Sequence, residues 1–155
     1  MGGVARVPVA IALGSNLGDR DALLDTAEER LAVLLSGAVA SGRYETTPVG
    51  GPPDAPLYLN EVVVGSTTLG PRVLLQTLMA LEQDAGRERS SRDAPRTLDL
   101  DIILYGDFVI DEPDLVVPHP RFRDRAFVLD PLSEVAGDWI DPVSGLTMVE
   151  LRRRL

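Results

Sequence analysis

This chain of 155 residues has no cysteine, no lysine and a single histidine. Without cysteine it forms no disulfide, no thiolate metal site and no thiol nucleophile. All 15 basic residues are arginine, which excludes Schiff-base chemistry and the lysine of a phosphate-binding P-loop. Any phosphate must therefore be held by guanidinium groups, backbone amides or bound cations. Aromatic residues make up only 5%, so each one is worth placing. No apolar run approaches the ~20 residues that span a bilayer. The opening Met1 to Arg6 lacks the charged and apolar regions of a signal peptide, so a cytoplasmic protein without a membrane partner is expected. The net charge of −9 opposes a general grip on nucleic acid, which needs a basic face.

Hydrophobic residues at 45% and charged residues at 25% fit an ordinary globular domain. One domain over residues 1–155 is expected, working as a monomer. The arginines are unevenly spread. Arg87, Arg89, Arg92 and Arg96 form one group, and Arg121, Arg123 and Arg125 a second. Guanidinium binds phosphate oxygens in bidentate fashion, so concentrated arginine in an acidic chain suggests a local anion site; a solvated surface is the alternative. Arg152 to Arg154 belong to that surface, closing a short helix whose C-terminal dipole suits cations.

Val7 to Leu13 is a short apolar run ending at Gly14 and reads as a buried strand. Asp19 or Asp21 can cap a helix with Leu23, Leu24, Ala27, Leu31 and Leu34 on one stripe, ending near Gly37. Val39 to Thr46 reads as a second strand, residues 47–56 as a proline-rich loop, and Tyr58 to Thr67 as a third strand. Gly70-Pro71 opens a helix with Leu74, Leu78, Leu81 and Ala85 on its buried side, ended by Gly86. Thr97 to Tyr105 is the fourth strand, and Phe108 to Ile110 its expected hairpin partner. The order β-α-β-β-α-β is the split βαβ of an α+β, ferredoxin-like fold with a C-terminal extension.

Asp99 and Asp101 stand two apart on the fourth strand. They point to one face while Leu98, Leu100 and Ile102 point to the other, with Cα atoms about 6.5–7 Å apart. Two such carboxylates without histidine or cysteine favour magnesium or manganese over zinc. A solvent-facing strand edge is the alternative. Arg96 just before the strand, with Arg87, Arg89 and Arg92 upstream, adds phosphate-binding groups to metal-binding ones, as in a metal–nucleotide site.

The run from Arg92 to Leu104, with its core Pro95-Arg96-Thr97-Leu98-Asp99-Leu100-Asp101, resembles the signature of the 6-hydroxymethyl-7,8-dihydropterin pyrophosphokinase family. In the same order, Ala12 to Gly18, Tyr44 to Gly50, Tyr58-Leu59-Asn60 and Val117 to Phe127 resemble it as well. The resemblance implies a three-layer αβα form of the ferredoxin-like fold, with ATP and the pterin in one cleft. It implies two Mg²⁺ ions on Asp99 and Asp101, which with Arg87 and Arg96 would be the catalytic groups. Glu82, Arg87, Arg89, Arg96, His119 and Arg125 match ATP contacts. Tyr58 and Phe127 match the pair that sandwiches the pterin ring; Thr46, Thr47, Val49 and Asn60 match positions about its polar edge. The implied reaction moves a diphosphate from ATP to the pterin and releases AMP, a step of folate synthesis.

The sequence departs from the family pattern at Asp93, where tryptophan often sits, and at Asp114, where an arginine frequently contacts ATP. Two other classes share parts of this pattern. A ferredoxin-like ligand-binding regulator shares the element order but has no need of paired aspartates beside an arginine loop. A nucleotidyltransferase shares the aspartate pair but transfers AMP and releases pyrophosphate.

Overall fold

The computed structural model describes residues 5–16, 19–47, 57–88 and 98–155, with the side chains of 86–88 excepted. Four long elements alternate as expected: β1 (Val7–Ser15), α1 (Arg20–Leu34), β4 (Tyr58–Thr67) and α2 (Pro71–Glu88), followed by β5 (Leu98–Tyr105). Asp19 caps α1, its carboxylate accepting from Ala22 N–H at 3.0 Å. β1 lies at the centre of an antiparallel sheet, between β4 and β5.

The expected second strand is two. β2 (Ser36–Ala40) and β3 (Tyr44–Thr46) both pair with β4, giving the order β2-β4-β1-β5 with β3 beside β4. Between them Ser41 N–H donates to Val62 O at 2.9 Å while Val62 N–H donates to Ser41 Oγ at 2.9 Å. A hydroxyl thus replaces a carbonyl in the ladder, and the chain bends there. α1 stops at Leu34 rather than Gly37. Gly37 lies inside β2 at φ 65, in a stretch where the register slips between Ser36 and Val39, a backbone state open to glycine.

Two further expectations are corrected. α2 continues through Gly86 to Glu88, because glycine weakens a helix without ending it and arginine and glutamate favour continuation. Phe108 to Ile110 does not pair with β5. Gly106, at φ 55, turns its N–H to Pro8 O at 2.7 Å, and the hairpin forms between β6 (Ile110–Glu112) and β7 (Leu115–Val117). The chain ends in a 3-10 turn (Phe122–Asp124), α3 (Ala126–Ala136) and α4 (Met148–Arg153), where Arg152 pairs with Asp130.

Each face of the sheet has its own core. Val9, Ile11 and Leu13 of β1 join Leu98, Leu100 and Ile102 of β5 against α1 and α2. Ala10, Val62, Val64 and Ile103 meet Phe122, Leu129 and Met148 of the C-terminal elements. A bulge links the two: Ala10 pairs with Leu104 but Ile11 pairs with Ile102, leaving Ile103 unpaired. Strand alternation therefore holds from Leu98 to Ile102, so Asp99 and Asp101 face the α3 side. Among the described residues no helix is long and apolar enough to cross a membrane.

Candidate active site

Small residues on β1 make the floor of a cleft. Ala12 lies in register between Val62 and Asp101, and Gly14 between Asn60 and Asp99. A Cβ on Gly14 would stand 3.5 Å from Asn60 Oδ1 and 3.9 Å from Tyr58 Cδ1, so a larger residue would fill the space over the sheet. The cleft above measures about 670 Å³, enough for a drug-sized ligand or larger. It is lined by Thr46 and Thr47 beside Tyr58 and Asn60 of β4, by Asp99, Asp101 and Ile103 of β5, and by His119, Arg121, Asp124, Arg125 and Phe127 of the C-terminal elements.

The polar wall is held by its own hydrogen bonds. Asn60 is 7% exposed, and its Nδ2 donates to Thr46 Oγ1 at 2.8 Å and to Tyr44 O at 3.4 Å. These contacts orient the amide and leave Oδ1 as the acceptor beside Gly14. In the same cleft, the Arg125 guanidinium lies 5.4 Å from the centre of the Phe127 ring, a cation–π distance. Arg125 also precedes α3, whose first turn has no side-chain cap; the positive end of that helix dipole is left for an anion.

His119 is fixed twice. Its N–H donates to Ile103 O at 3.0 Å, and its Nδ1 accepts from Arg121 N–H at 3.2 Å. With Nδ1 an acceptor, the ring proton sits on Nε2. Burial first, then the charges of Arg125 and Arg121, lower its pKa against the pull of Asp101. At neutral pH His119 is a neutral donor.

Some expected residues stand elsewhere. Glu82 does not line the cleft; its Oε2 accepts from Leu100 N–H at 2.7 Å. Arg89, Arg92, Asp93, Arg96 and Val49, with the side chain of Arg87, lie outside the described residues. Arg123 is a correction to the second arginine group. It does not line the cleft and instead grips the buried carboxylate of Asp141 at 2.5 and 2.8 Å. Asp114 is held by Arg72 of α2 at 2.8 and 2.9 Å, an exposed pair that ties the β6–β7 turn to the helix.

Sequence reading missed Asp124 and the small-residue floor, and named Arg121 only as one of a group of three. Ala10, Ala12 and Gly14 at alternate positions of an otherwise bulky strand were the available signal, since a row of small side chains on one face leaves room for something else. Arg121 had no signal of its own within a group of three arginines, only one of which the resemblance had assigned.

Residues 10–137 match the family model described as 7,8-dihydro-6-hydroxymethylpterin-pyrophosphokinase. The chain is 43% identical over 143 residues to the 2-amino-4-hydroxy-6-hydroxymethyldihydropteridine pyrophosphokinase of Synechocystis, covering 91% of this chain and 72% of that protein. It is 46% identical over 134 residues to the Pseudomonas aeruginosa protein of the same name, covering 84% and 81%. It also matches the mitochondrial folate synthesis bifunctional protein of Arabidopsis thaliana, 42% identical over 86% of this chain but spanning only 24% of that one. The crystal structure of wild-type HPPK-DHPS from Plasmodium falciparum superposes with a TM-score of 0.77 at 16% identity, over 97% of this chain and 45% of that chain, a likeness of fold.

Proposed function

This chain belongs to the 7,8-dihydro-6-hydroxymethylpterin-pyrophosphokinase family, a pyrophosphokinase of folate biosynthesis, and from that premise we propose how its cleft works. The pterin lies between Tyr58 and Phe127, with its polar edge at Asn60 and Thr46; ATP lies along His119, Arg121 and Arg125. One observation carries the reading: the paired carboxylates of Asp99 and Asp101 open into the same cleft as the two aromatic rings and the oriented Asn60 amide.

The residues fit magnesium. Asp99 and Asp101 are exposed oxygen donors two apart on one strand face. Among the described residues no third acidic or histidine ligand joins them to form a dedicated cage. Magnesium favours such a site, because it keeps waters and takes its remaining ligands from phosphate oxygens. When bound, it supplies positive charge that neutralises the phosphates and acidifies a nearby alcohol.

The reaction forms one bond and breaks one. The hydroxymethyl oxygen of the pterin bonds to the β-phosphorus of ATP, the bond from that phosphorus to the α–β bridging oxygen breaks, and that oxygen leaves on AMP. The alcohol proton passes to solvent. Tyr58 and Phe127 bind the flat ring on its two faces, while Asn60 Oδ1 accepts an N–H of the aminopyrimidinone edge. Arg121, Arg125 and the open end of α3 neutralise phosphate charge, and His119 Nε2–H donates to a phosphate or ribose oxygen. Most of the catalysis is positioning and charge stabilisation. Among the described residues no cleft side chain stands out as a general base.

The strand order β2-β4-β1-β5, with α1 and α2 on one face and α3 and α4 on the other, supports a ferredoxin-like βαββαβ core with a C-terminal extension, a three-layer αβα form. We take residues 1–155 as one pyrophosphokinase domain, active as a monomer.

Incubation with ATP, Mg²⁺ and 6-hydroxymethyl-7,8-dihydropterin tests the reading. Equimolar AMP and pterin diphosphate are expected. Release of pyrophosphate would make the chain a nucleotidyltransferase, and no pterin-dependent turnover would make it a binding protein.

A further inference from the structure

Glu134 lies outside the cleft, on α3, yet three contacts converge on its carboxylate. Gly42 N–H donates to Oε1 at 3.2 Å and to Oε2 at 3.0 Å, and Tyr44 O–H donates to Oε1 at 2.7 Å. Hydrogen bonds to an ionised acceptor are the stronger kind. Gly42 and Tyr44 belong to the segment that leads into Thr46, whose hydroxyl fixes the Asn60 amide, and Tyr44 O accepts from that same amide.

Along α3, Glu134 follows Phe127 by seven residues, so both lie on one face of the helix, about 10 Å apart along its axis. Phe127 lines the same cleft as Asn60 and Tyr58. The helix therefore carries a cleft residue at its start and, two turns later, a carboxylate grip on the segment that leads into Thr46. From the other face of the sheet, Arg43 anchors the same segment to α1 through Asp21, Asp25 and Glu28 at 2.7, 2.6 and 2.8 Å. Among the described hydrogen bonds, those to Glu134 join it to α3.

We propose that Glu134 is a positioning residue for the pterin: by tying Gly42 and Tyr44 to α3 it sets the separation between the Phe127 face and the Asn60–Thr46 edge. The inference rests on the pterin occupying that end of the cleft. It predicts a selective effect, because the grip acts on the segment that supports Asn60 and Thr46, which no described hydrogen bond of His119, Arg121 or Arg125 reaches.

Steady-state kinetics on the full chain test it. Glu134→Ala should raise the pterin KM about fivefold, the scale of losing one net hydrogen bond, with the ATP KM unchanged. Glu134→Gln, which keeps an acceptor for Tyr44, should recover most of that loss. Tyr44→Phe removes one contact and leaves the helix untouched; a rise of about two- to threefold in pterin KM alone is expected. A lowered melting temperature with both KM values unchanged would show that Glu134 only stabilises the fold and would overturn the proposal. So would an equal rise in both KM values, or an unchanged pterin KM in Tyr44→Phe. A wild-type chain without pterin-dependent AMP release would instead overturn the functional reading on which the inference rests.

Discussion

Asn60 and Thr46 form one unit: the amide nitrogen of Asn60 donates to the hydroxyl of Thr46 at 2.8 Å, so Asn60 Oδ1 is turned over Gly14 toward the cleft. Removing the amide removes both the acceptor and its support. Asn60→Ala should weaken pterin binding about tenfold, the scale of one to two hydrogen bonds, while leaving ATP binding near wild type. Titration calorimetry with each ligand checks this. Equal losses for both would return Asn60 to a purely structural link between β3 and β4.

Asp101 lines the floor beside Ala12, and Asp99 beside Gly14. Asp99→Ala and Asp101→Ala should each abolish Mg²⁺-dependent turnover while the melting temperature changes little, since both side chains are exposed. Wild-type rates in either variant would remove the magnesium assignment.

Glu61 is buried at 1% exposure, and Arg43 Nε stands 3.7 Å from it. Neither carboxylate oxygen has a hydrogen-bond donor among the described residues. Burial first, then the neighbouring Glu28, pushes its pKa up to about 8; protonated, it can donate to Glu28. The folded state thus holds a proton that the unfolded chain releases near the ordinary glutamate pKa. Stability on this account is full below about pH 4.5, falls as pH rises, and levels off once the folded value near 8 is passed. Glu61→Gln should flatten the decline and melt several degrees above wild type at pH 8. Parallel pH profiles for the two proteins would show that Glu61 is ionised in the fold.

Asp141 is fully buried and shifted the other way. Burial raises its pKa, but hydrogen bonds from Arg123, the Ser144 hydroxyl and Val143 N–H outweigh that and hold it at about 2. Its contribution is present above the usual carboxylate pKa and is lost as pH falls from about 4 through 2. Arg123→Ala leaves a buried carboxylate without its cation, a loss of about 3 kcal/mol, or on the order of 10 °C in Tm. Thermal melts at pH 7 and pH 3 check both statements, and an unchanged Tm at pH 7 would contradict the first.

Much of this was legible in the chain itself. The alternation Leu98, Leu100, Ile102 against Asp99 and Asp101 needs only the two-residue period of a strand, and the structure keeps those leucines and that isoleucine in one core with both aspartates outside it. The Asp19 cap of α1 and the apolar stripes of α1 and α2 follow from local spacing in the same way. Positions depending on a distant partner were not legible. Ser41 interrupts the second strand because its hydroxyl meets Val62. Gly37 is in β2 and Gly86 within α2, where their local signals suggested helix ends.

The arginines show the limit most plainly. Sequence determined that any side-chain cation at a phosphate site here is arginine or the single histidine, because the chain has no lysine. Only the tertiary structure decided which of them face the cleft. Arg121 and Arg125 line it, while Arg123 is drawn to Asp141 and Arg72 to Asp114. Residue type and period fix what a side chain can do and which face of its own element it takes. Which partner it meets depends on packing between elements far apart in the chain, and a buried carboxylate eighteen residues away leaves no mark on local spacing.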